Sequence, residues 1–249
     1  MICSSYYMKA QRQRIRERPA RTDESEQQMK LTIFAATGGI GQQILGQAVA
    51  AGHDVTAVVR NPGKLSGQVR AVQADLATAN AEALAPAVAG ADAVLSGLGP
   101  RSKAEYGIVT TGTRAITGAM QAAGVRRIVV VSAAPVGTVA SPGQPHPPKH
   151  DPGEGLVMRH VLTPMVKAAF GKSYADLAQM EEELAGSGLD WTVIRPPRLT
   201  NKPLTGSYRT AYGQNVRRGV FISRADVAHL RIAVLGEPET VKQIIGVAY

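Results

Sequence analysis

The residue types best suited to chemistry occur together in one glycine-rich stretch, Ala35-Ala36-Thr37-Gly38-Gly39-Ile40-Gly41. It follows an apolar run from Lys30 to Phe34 that predicts a buried strand, and it precedes a helical apolar pattern reaching about Ala51. Glycine allows a sharp turn and a close approach of the backbone to a ligand, and a helix start presents N–H groups to an anion. These residues predict a site for two linked phosphates, with the Thr37 hydroxyl as a further donor.

The spacing of the stretch is Ala35-x-x-Gly38-x-x-Gly41, which is close to a GxxGxxG pattern. The more familiar GxGxxG pattern is absent, and alanine occupies the position of the first glycine. A tight strand-to-helix turn without a ligand is the alternative interpretation. The position of the stretch, after a predicted strand and at the start of a predicted helix, favours binding.

Arg60 is the second signal, because it ends the second predicted strand, Asp54 to Val59, 19 residues after Gly41. Domains that bind NAD usually carry a carboxylate there for the ribose hydroxyls. Here Arg60 is followed by Lys64, and a cation suits a 2′-phosphate. The pattern predicts NADP(H) as cofactor in preference to NAD(H), with a solvated surface arginine as the alternative.

Two weaker signals follow the third and fourth predicted strands. Asp75 lies just beyond Val69 to Gln73, where a carboxylate can accept from the adenine amino group, although a plain turn residue fits equally well. Gly97 and Gly99 follow Ala93 to Leu95, beside the expected reversal of strand order where ligands bind in open α/β sheets.

Strand and helix patterns alternate strictly up to Ser132, which predicts right-handed crossovers and an α/β fold. We expect a Rossmann-type doubly wound parallel sheet with a small C-terminal region that covers the substrate. Residues 29–249 form the single domain in this interpretation, and residues 1–28 form a disordered extension. Residues 135–172 are predicted to be a covering loop and helix, with helices over 156–170, interrupted at Pro164, and over 174–185.

Composition narrows the setting of the protein. The chain has 249 residues, a net charge of +9 and a single cysteine, Cys3, so an intrachain disulfide is excluded. Because the sequence has no uncharged apolar run long enough to cross a membrane, we expect a cytoplasmic protein and no membrane partner. The charge favours anionic ligands, but nucleic acid is disfavoured because no helix-turn-helix or aromatic platform supports it. His146-x-x-x-His150-Asp151 lies in a proline-rich loop, and we expect no metal there.

With these pieces in order, the chain resembles the atypical short-chain dehydrogenase/reductase superfamily, within it the NAD(P)H-binding group of biliverdin-IXβ/flavin reductases and NmrA-like proteins. The resemblance runs from about Lys30 to Val247. The stretches that carry it are Ala36-Thr37-Gly38-x-x-Gly41, Gly52-His53-Asp54-Val55-Thr56-Ala57-Val58-Val59-Arg60, Gly124-Val125-Arg126-Arg127-Ile128-Val129-Val130-Val131-Ser132, Ser187-Gly188-Leu189-Asp190-Trp191-Thr192-Val193-Ile194-Arg195-Pro196 and Leu204-Thr205-Gly206-Ser207-Tyr208.

The resemblance implies a role for each part of a nicotinamide site. The pyrophosphate would lie on Thr37, Gly38, Gly39, Ile40 and Gly41, and the 2′-phosphate on Arg60 and Lys64. Asp75 and Leu76 would bracket adenine, and Gly99, Pro100 and Arg101 would line the ribose. Ser132, Pro196 and Pro197 would approach the nicotinamide.

The sequence departs from the superfamily where catalysis is concerned. None of its seven tyrosines has a lysine four residues on, so the usual Tyr-x-x-x-Lys acid is missing. Ala133 and Arg198 replace a serine and a histidine of the biliverdin/flavin reductases. Ser132 and Tyr174 are the remaining candidates to donate a hydrogen bond to an acceptor, and Arg198 is a candidate anchor for an anionic substrate.

Two functions therefore remain open. The first is an NADPH-dependent reductase that transfers hydride to a flavin, a quinone or another small carbonyl acceptor. The second is a non-catalytic, NmrA-like protein that senses NADP(H) and contacts a regulator. In either case we expect a monomer or a homodimer.

Overall fold

The computed structural model describes residues 16–18, 28–65, 69–100, 102, 105–153 and 163–249, with the backbone alone for 16–18 and 163–169. The strands of this part of the chain are β1 (Arg16–Arg18), β2 (Lys30–Phe34), β3 (Asp54–Val59), β4 (Arg70–Gln73), β5 (Ala93–Ser96), β6 (Arg127–Val131), β7 (Asp190–Arg195), β8 (Arg198–Thr200), β9 (Tyr208–Tyr212), β10 (Phe221–Ser223) and β11 (Gln243–Ala248). The α-helices are α1 (Gly39–Ala50), α2 (Ala81–Val88), α3 (Ile108–Ala122), α4 (Thr163–Gly186) and α5 (Arg224–Ala233).

Within these described residues, nine strands form one sheet in the order β1-β9-β11-β7-β6-β5-β2-β3-β4. The strands from β11 to β4 in that order are all parallel. Strand β9 runs antiparallel to β11, and β1 runs antiparallel to β9. The predicted doubly wound parallel sheet is confirmed. Its order reverses between β2 and β5, and ligands bind beside such a reversal, outside the carboxyl ends of the strands.

The helices cover both faces of the sheet, because side chains of a buried strand point alternately to opposite faces. Leu31 and Ile33 of β2 lie in one apolar core with α1 and α5. Phe34 of the same strand lies in the second core, with α2, α3 and α4. The sheet is thereby a rigid platform on which both helices next to the reversal are fixed.

The second half of the chain differs from the prediction in two elements. Helix α4 begins at Thr163 and continues through a kink at Phe170, where φ is −123° and ψ is 17°. The helices predicted over 156–170 and 174–185 are thus joined into one from Thr163 onward, and the interruption predicted at Pro164 stays a prediction because the residues before Thr163 are not described. Residues 154–162, which include the start of the predicted helix, lie outside the described residues.

Strand β8 was not predicted, because it follows directly on Pro196-Pro197 and is only three residues long. It pairs in parallel with β10, as Leu199 faces Ile222 in the register. This small second sheet holds the segment after β7 against the start of α5.

The covering loop and the N-terminal extension are only partly described. Residues 135–153 are irregular apart from the 3-10 helix Ala134–Thr138, and buried Asp151 fastens this loop by accepting from Asn215 N at 2.9 Å. Of residues 1–28, only 16–18 and residue 28 are described, and 16–18 form edge strand β1. Disorder of the extension as a whole stays a prediction. No α-helix in the described ranges is long and apolar enough to cross a membrane.

Half-buried Arg127 and fully buried Arg231 stabilise the sheet by donating hydrogen bonds to carbonyl and hydroxyl oxygens. Arg127 donates hydrogen bonds to four oxygen atoms, Asp190 O, Thr192 Oγ1, Val234 O and Thr240 Oγ1. Burial lowers the pKa of Arg127 to about 10. Arg231 of α5 is fully buried and donates to Ser96 O and Val129 O, both at 2.6 Å. Burial lowers the pKa of Arg231 to about 9, so both groups carry charge at neutral pH.

Asp226 is the hub that fixes the start of α5. Its fully buried carboxylate accepts from the Ser223 and Tyr249 hydroxyls, from the backbone N–H and the hydroxyl of Thr205, and from Gly206 N. Ser223 also caps the helix by accepting from Asp226 N. Burial acts to raise the pKa of Asp226, but these hydrogen bonds outweigh it and hold the pKa below its usual range.

We predict that Asp226→Asn destabilises the protein by about 2–3 kcal/mol at pH 7, because an amide loses several charge-assisted hydrogen bonds. The folded-state pKa is depressed, so the contribution of the carboxylate is present above its ordinary pKa of 3.8 and is lost as the pH falls through the folded value. The difference in the free energy of unfolding between wild type and variant therefore becomes smaller below pH 4. Urea unfolding at a series of pH values measures it.

Asp190→Asn is the matched control, because Asp190 is a partly exposed carboxylate paired with Arg126 at 3.1 Å. We expect this substitution to cost less than about 1 kcal/mol. Equal losses in the two variants, or a loss in Asp226→Asn that does not shrink in acid, would contradict the role of the hub.

Candidate functional site

The start of α1 crosses the ends of β2 and β5 with no room for a side chain between them. A β-carbon at Gly41 would lie 2.2 Å from Ala35 O, and one at Gly97 would lie 3.2 Å from Gly41 Cα. Both distances are shorter than ordinary van der Waals contact. The two glycines thus allow the backbones to touch, and this contact places the helix start beside the sheet reversal.

The start of α1 offers its backbone donors to a ligand. Its N-cap residue, Gly38, has extended backbone angles and makes no side-chain capping hydrogen bond. The first turn contains no acidic residue either. The partial positive charge of the helix start is therefore not neutralised by a neighbouring carboxylate of that turn, as a phosphate site requires.

A groove of about 450 Å³ runs from this turn along the carboxyl ends of the strands. Its volume falls within the roughly 300–1,000 Å³ of small-molecule sites. It brings together ten residues that the sequence predicts as binding residues: Thr37, Gly38, Gly39, Ile40, Arg60, Asp75, Leu76, Gly99, Pro100 and Ser132. Gly41 lies behind the turn, where it makes the backbone contact.

Other predicted residues lie away from the groove lining. Lys64 is exposed on the 3-10 helix Pro62–Lys64, and Arg198 is exposed on β8. Pro196 is buried and its carbonyl accepts from Ala134 N at 2.9 Å, while Pro197 is half-buried. None of these four residues lines the groove. Arg101 lies outside the described residues.

Tyr174 also lies away from the groove. It is half-buried on α4, its ring packs on Phe170 with 6.3 Å between ring centroids, and burial raises the pKa of its phenol. Leu177, three residues further along α4, lines the groove instead. A helix presents residues three apart on adjoining parts of its surface, and here the apolar residue faces the site.

Ser132 directs an unpaired polar group into the same groove. It follows β6, its N–H donates to Ile194 O at 2.8 Å, and the residue is only 8% exposed. Its hydroxyl has no hydrogen-bond partner in the described part of the chain. A buried hydroxyl without a partner is costly, so this atom is a strong candidate to bond a ligand.

Arg224 is a groove residue that the sequence analysis missed. It is the first residue of α5, and its side chain lies so close to the turn that a β-carbon at Gly39 would be 2.9 Å from Arg224 Nε. Its Nη1 donates to Asn201 Oδ1 at 2.6 Å. No local sequence signal shows that α5 begins beside α1.

Glu105 is the second residue that was missed. It precedes α3 and lines the groove, where its Oε1 accepts from Arg60 Nη1 at 2.8 Å. The cation predicted to hold a phosphate is thus paired with a carboxylate of the same groove.

The described part of the predicted covering segment lies away from the groove. Residues 135–153 do not line the groove. The Asp151 carboxylate accepts hydrogen bonds from the backbone N–H groups of Gly153, in the same loop, and of Asn215, after β9. Within the described ranges, no group of three or more His, Cys, Asp or Glu residues is arranged to hold a metal ion.

The arrangement matches a known family. A family model described as NAD(P)H-binding matches residues 35–238, from the turn to beyond α5. The chain belongs to this NAD(P)H-binding family. The predicted family relationship is therefore confirmed, and so is a nicotinamide cofactor at the level of NAD(P)H. The uncapped helix start and the unpaired Ser132 hydroxyl fit such a cofactor.

Individual relatives extend over most of the chain. A Bacillus subtilis protein named uncharacterized sugar epimerase YhfK is 31% identical over 221 residues, covering 85% of this chain and 90% of its own length. The uncharacterized protein YwnB of the same species is 30% identical over 224 residues, with coverages of 85% and 92%.

Solved structures show the same fold. The oxidoreductase ylbE from Lactococcus lactis superposes with a TM-score of 0.72 at 20% identity, covering 88% of this chain and 90% of that one. ChuY, an anaerobillin reductase from Escherichia coli, has a TM-score of 0.67 at 22% identity, with coverages of 88% and 96%.

The turn itself yields a prediction, because Ala35 stands at the first glycine position with φ of +55°. This left-handed conformation costs an alanine roughly 1–2 kcal/mol and costs glycine little, although glycine loses more entropy on folding. We expect Ala35→Gly to raise the free energy of unfolding by about 0.5–1 kcal/mol, measured by urea or thermal denaturation.

The neighbouring Ala36 is the control, since it is fully buried and does not have a positive φ. Ala36→Gly is expected to lower stability by about 1 kcal/mol. If Ala35→Gly destabilises the protein as much as Ala36→Gly does, the strain assigned to Ala35 is absent.

Proposed function

We propose that the protein is an NADP(H)-dependent reductase that transfers hydride to a flavin, a quinone or another small carbonyl acceptor. The observation that carries the proposal is that one groove joins the glycine turn, Arg60 and the unpaired Ser132 hydroxyl. The strand order puts the turn after β2 between Arg60, after β3, and Ser132, after β6, just as the pyrophosphate lies between the adenosine phosphate and the nicotinamide.

The pyrophosphate has two sources of positive charge in this proposal. The α1 start supplies backbone N–H groups at Gly39 and Ile40, and Arg224 adds a guanidinium over Gly39. Charge-assisted hydrogen bonds from arginine to phosphate are about twice as strong as neutral ones. Arg224 would therefore hold either nicotinamide dinucleotide.

The 2′-phosphate is proposed to bind at Arg60, at the end of β3. This position carries a carboxylate in domains that select NAD, and a carboxylate there would repel the phosphate. Asp75 and Leu76 also line the groove and would contact the adenine. Lys64 is exposed one short helix away and would add only to the electrostatic field.

At the other end of the groove, the chain itself contributes little acid–base chemistry. The bound cofactor supplies the hydride, and the protein orients it and excludes water. Ser132 is the proposed donor to the nicotinamide amide or to the acceptor oxygen, where its hydroxyl would gain the partner it lacks. Flavins and quinones suit such a site because they accept hydride without a dedicated tyrosine acid.

A second function is favoured by the position of Tyr174 away from the groove. A protein that binds NADP(H) without turnover, and reports its presence to a regulator, would need no acid. For both functions we propose a cytoplasmic protein, in keeping with the single cysteine, that is a monomer or a homodimer. The name of the Bacillus relative, uncharacterized sugar epimerase YhfK, makes sugars a further class to include when substrates are tested.

We predict that NADPH binds more tightly than NADH and that Arg60→Ala removes most of the difference. Because the variant loses charge-assisted contacts to a phosphate, its affinity for NADPH should fall by roughly 10- to 100-fold while its affinity for NADH stays nearly unchanged. Arg224→Ala is expected to weaken both by about tenfold, because both carry the pyrophosphate. Fluorescence or calorimetric titration of the wild type and the two variants with NADPH and NADH measures the six affinities.

Arg114→Ala is the control for loss of a positive charge, because Arg114 pairs with Glu183 on the surface and does not line the groove. It should leave both affinities unchanged. Equal binding of NADPH and NADH by the wild type would refute the NADP assignment.

We predict that the wild type oxidises NADPH with at least one acceptor from a flavin and quinone panel. Ser132→Ala should lower kcat by about 10- to 100-fold while changing the NADPH dissociation constant by less than about threefold. Ser187→Ala is a matched hydroxyl deletion, since Ser187 Oγ donates to Leu184 O away from the groove. Tight NADPH binding with no turnover of any acceptor would favour the sensing role over the reductase.

A further inference from the structure

The proposed phosphate-binding cation, Arg60, is held by a carboxylate that shares its groove. Arg60 Nη1 donates to Glu105 Oε1 at 2.8 Å, and the two side chains are 39% and 20% exposed. Arg60 comes from the end of β3, whereas Glu105 comes from the approach to α3, 45 residues later. The pair therefore connects the end of β3 to the segment before α3 at the part of the groove where the adenosine is proposed to bind.

Glu105 is held in place by the core of the protein. Gly107, two residues later, has φ of +89° and is the N-cap of α3. Buried Asp176 of α4 accepts from Gly107 N at 3.0 Å, from Val109 N at 3.1 Å and from Thr110 N at 2.9 Å. Since Asp176 satisfies the start of α3, this helix start does not compete for a phosphate, and the backbone that carries Glu105 is anchored to α4.

We infer that Glu105 sets the cofactor selectivity of the groove by competing with the 2′-phosphate of NADP(H) for the Arg60 guanidinium. The inference rests on the proposed function, because it assumes that the 2′-phosphate binds at Arg60. In the absence of that phosphate Glu105 neutralises Arg60 and keeps it at the edge of the groove. The preference for NADP(H) is then smaller than Arg60 alone would produce.

The competition acts on only one of the two dinucleotides. A phosphate monoester carries about 1.5 to 2 negative charges at neutral pH, so it repels a carboxylate that contacts the same guanidinium. NAD(H) has a neutral 2′-hydroxyl at that position and meets no such repulsion. Removing the charge of Glu105 should therefore change the affinity for NADP(H) far more than the affinity for NAD(H).

The test is titration of Glu105→Gln with NADPH and with NADH. Glu105→Gln is expected to tighten NADPH binding by about fivefold or more, the lower end of typical coupling between two sites, and to change NADH binding by less than about twofold. Glu105→Ala removes the same charge without an amide and should show the same gain. Thermal unfolding of each variant confirms that it is folded before its affinity is compared.

A double-mutant cycle with Arg60→Ala separates competition from general repulsion. If Glu105 acts through Arg60, the gain from Glu105→Gln shrinks when Arg60 is alanine. Glu183→Gln is the matched control, because it removes a carboxylate from the Arg114–Glu183 pair outside the groove and changes net charge equally. An equal gain in Glu183→Gln would assign the effect to net charge and overturn the inference.

The remaining outcomes distinguish this inference from the proposed function. If the wild type binds NADPH but neither Glu105 variant binds it more tightly, Glu105 is not a competitor and the inference alone fails. Weaker NADH binding in Glu105→Gln would make Glu105 a ligand of the ribose hydroxyls, which also overturns it. If the wild type binds neither dinucleotide, the proposed function itself is wrong.

Discussion

The structure depends on a contact between backbones, where the start of α1 meets the ends of β2 and β5. Gly41 and Gly97 carry no side chain at this crossing, and Ala35 adopts a left-handed conformation beside it. Because the helix start is brought so close to the sheet, its N–H groups face the reversal of strand order. A larger residue at Gly41 would push α1 away from the strands and disturb the part of the groove beside the turn.

Around this crossing, two buried aspartates fix the charged residues of the groove. Asp226 holds the start of α5, and Arg224 is the first residue of that helix. Asp176 reaches from α4 to the start of α3, two residues after Glu105. The Asp176 carboxylate accepts from N–H groups at the start of α3, whereas the Asp226 carboxylate accepts from the loop amides of Thr205 and Gly206 and from the hydroxyl of the cap residue Ser223. Each buried carboxylate thus fixes the backbone next to a charged groove residue. The electrostatics of the groove therefore originate in core contacts rather than in mobile surface chains.

The sequence predicts those parts of the molecule whose signals are local. The turn from Thr37 to Gly41, the strand periodicities and the placement of Arg60 all follow from neighbouring residues, and the structure brings Arg60 and Ser132 into one groove as expected. Arg224 and Glu105 were missed because only tertiary packing brings the starts of α5 and α3 to the groove. Tyr174 was chosen for its chemistry, but the orientation of α4 directs Leu177 to the site.

Arg231 gives the groove a property that its surface residues lack. Its guanidinium is fully buried beneath the strand ends, it bonds Ser96 O next to the groove residue Gly97, and its Nε and Nη1 have no partner in the described part of the chain. Dissolved ions screen an exposed cation such as Arg60 but hardly reach a buried one. The electrostatic potential that these two arginines create in the groove thus has one component that fades with ionic strength and another that persists in concentrated salt.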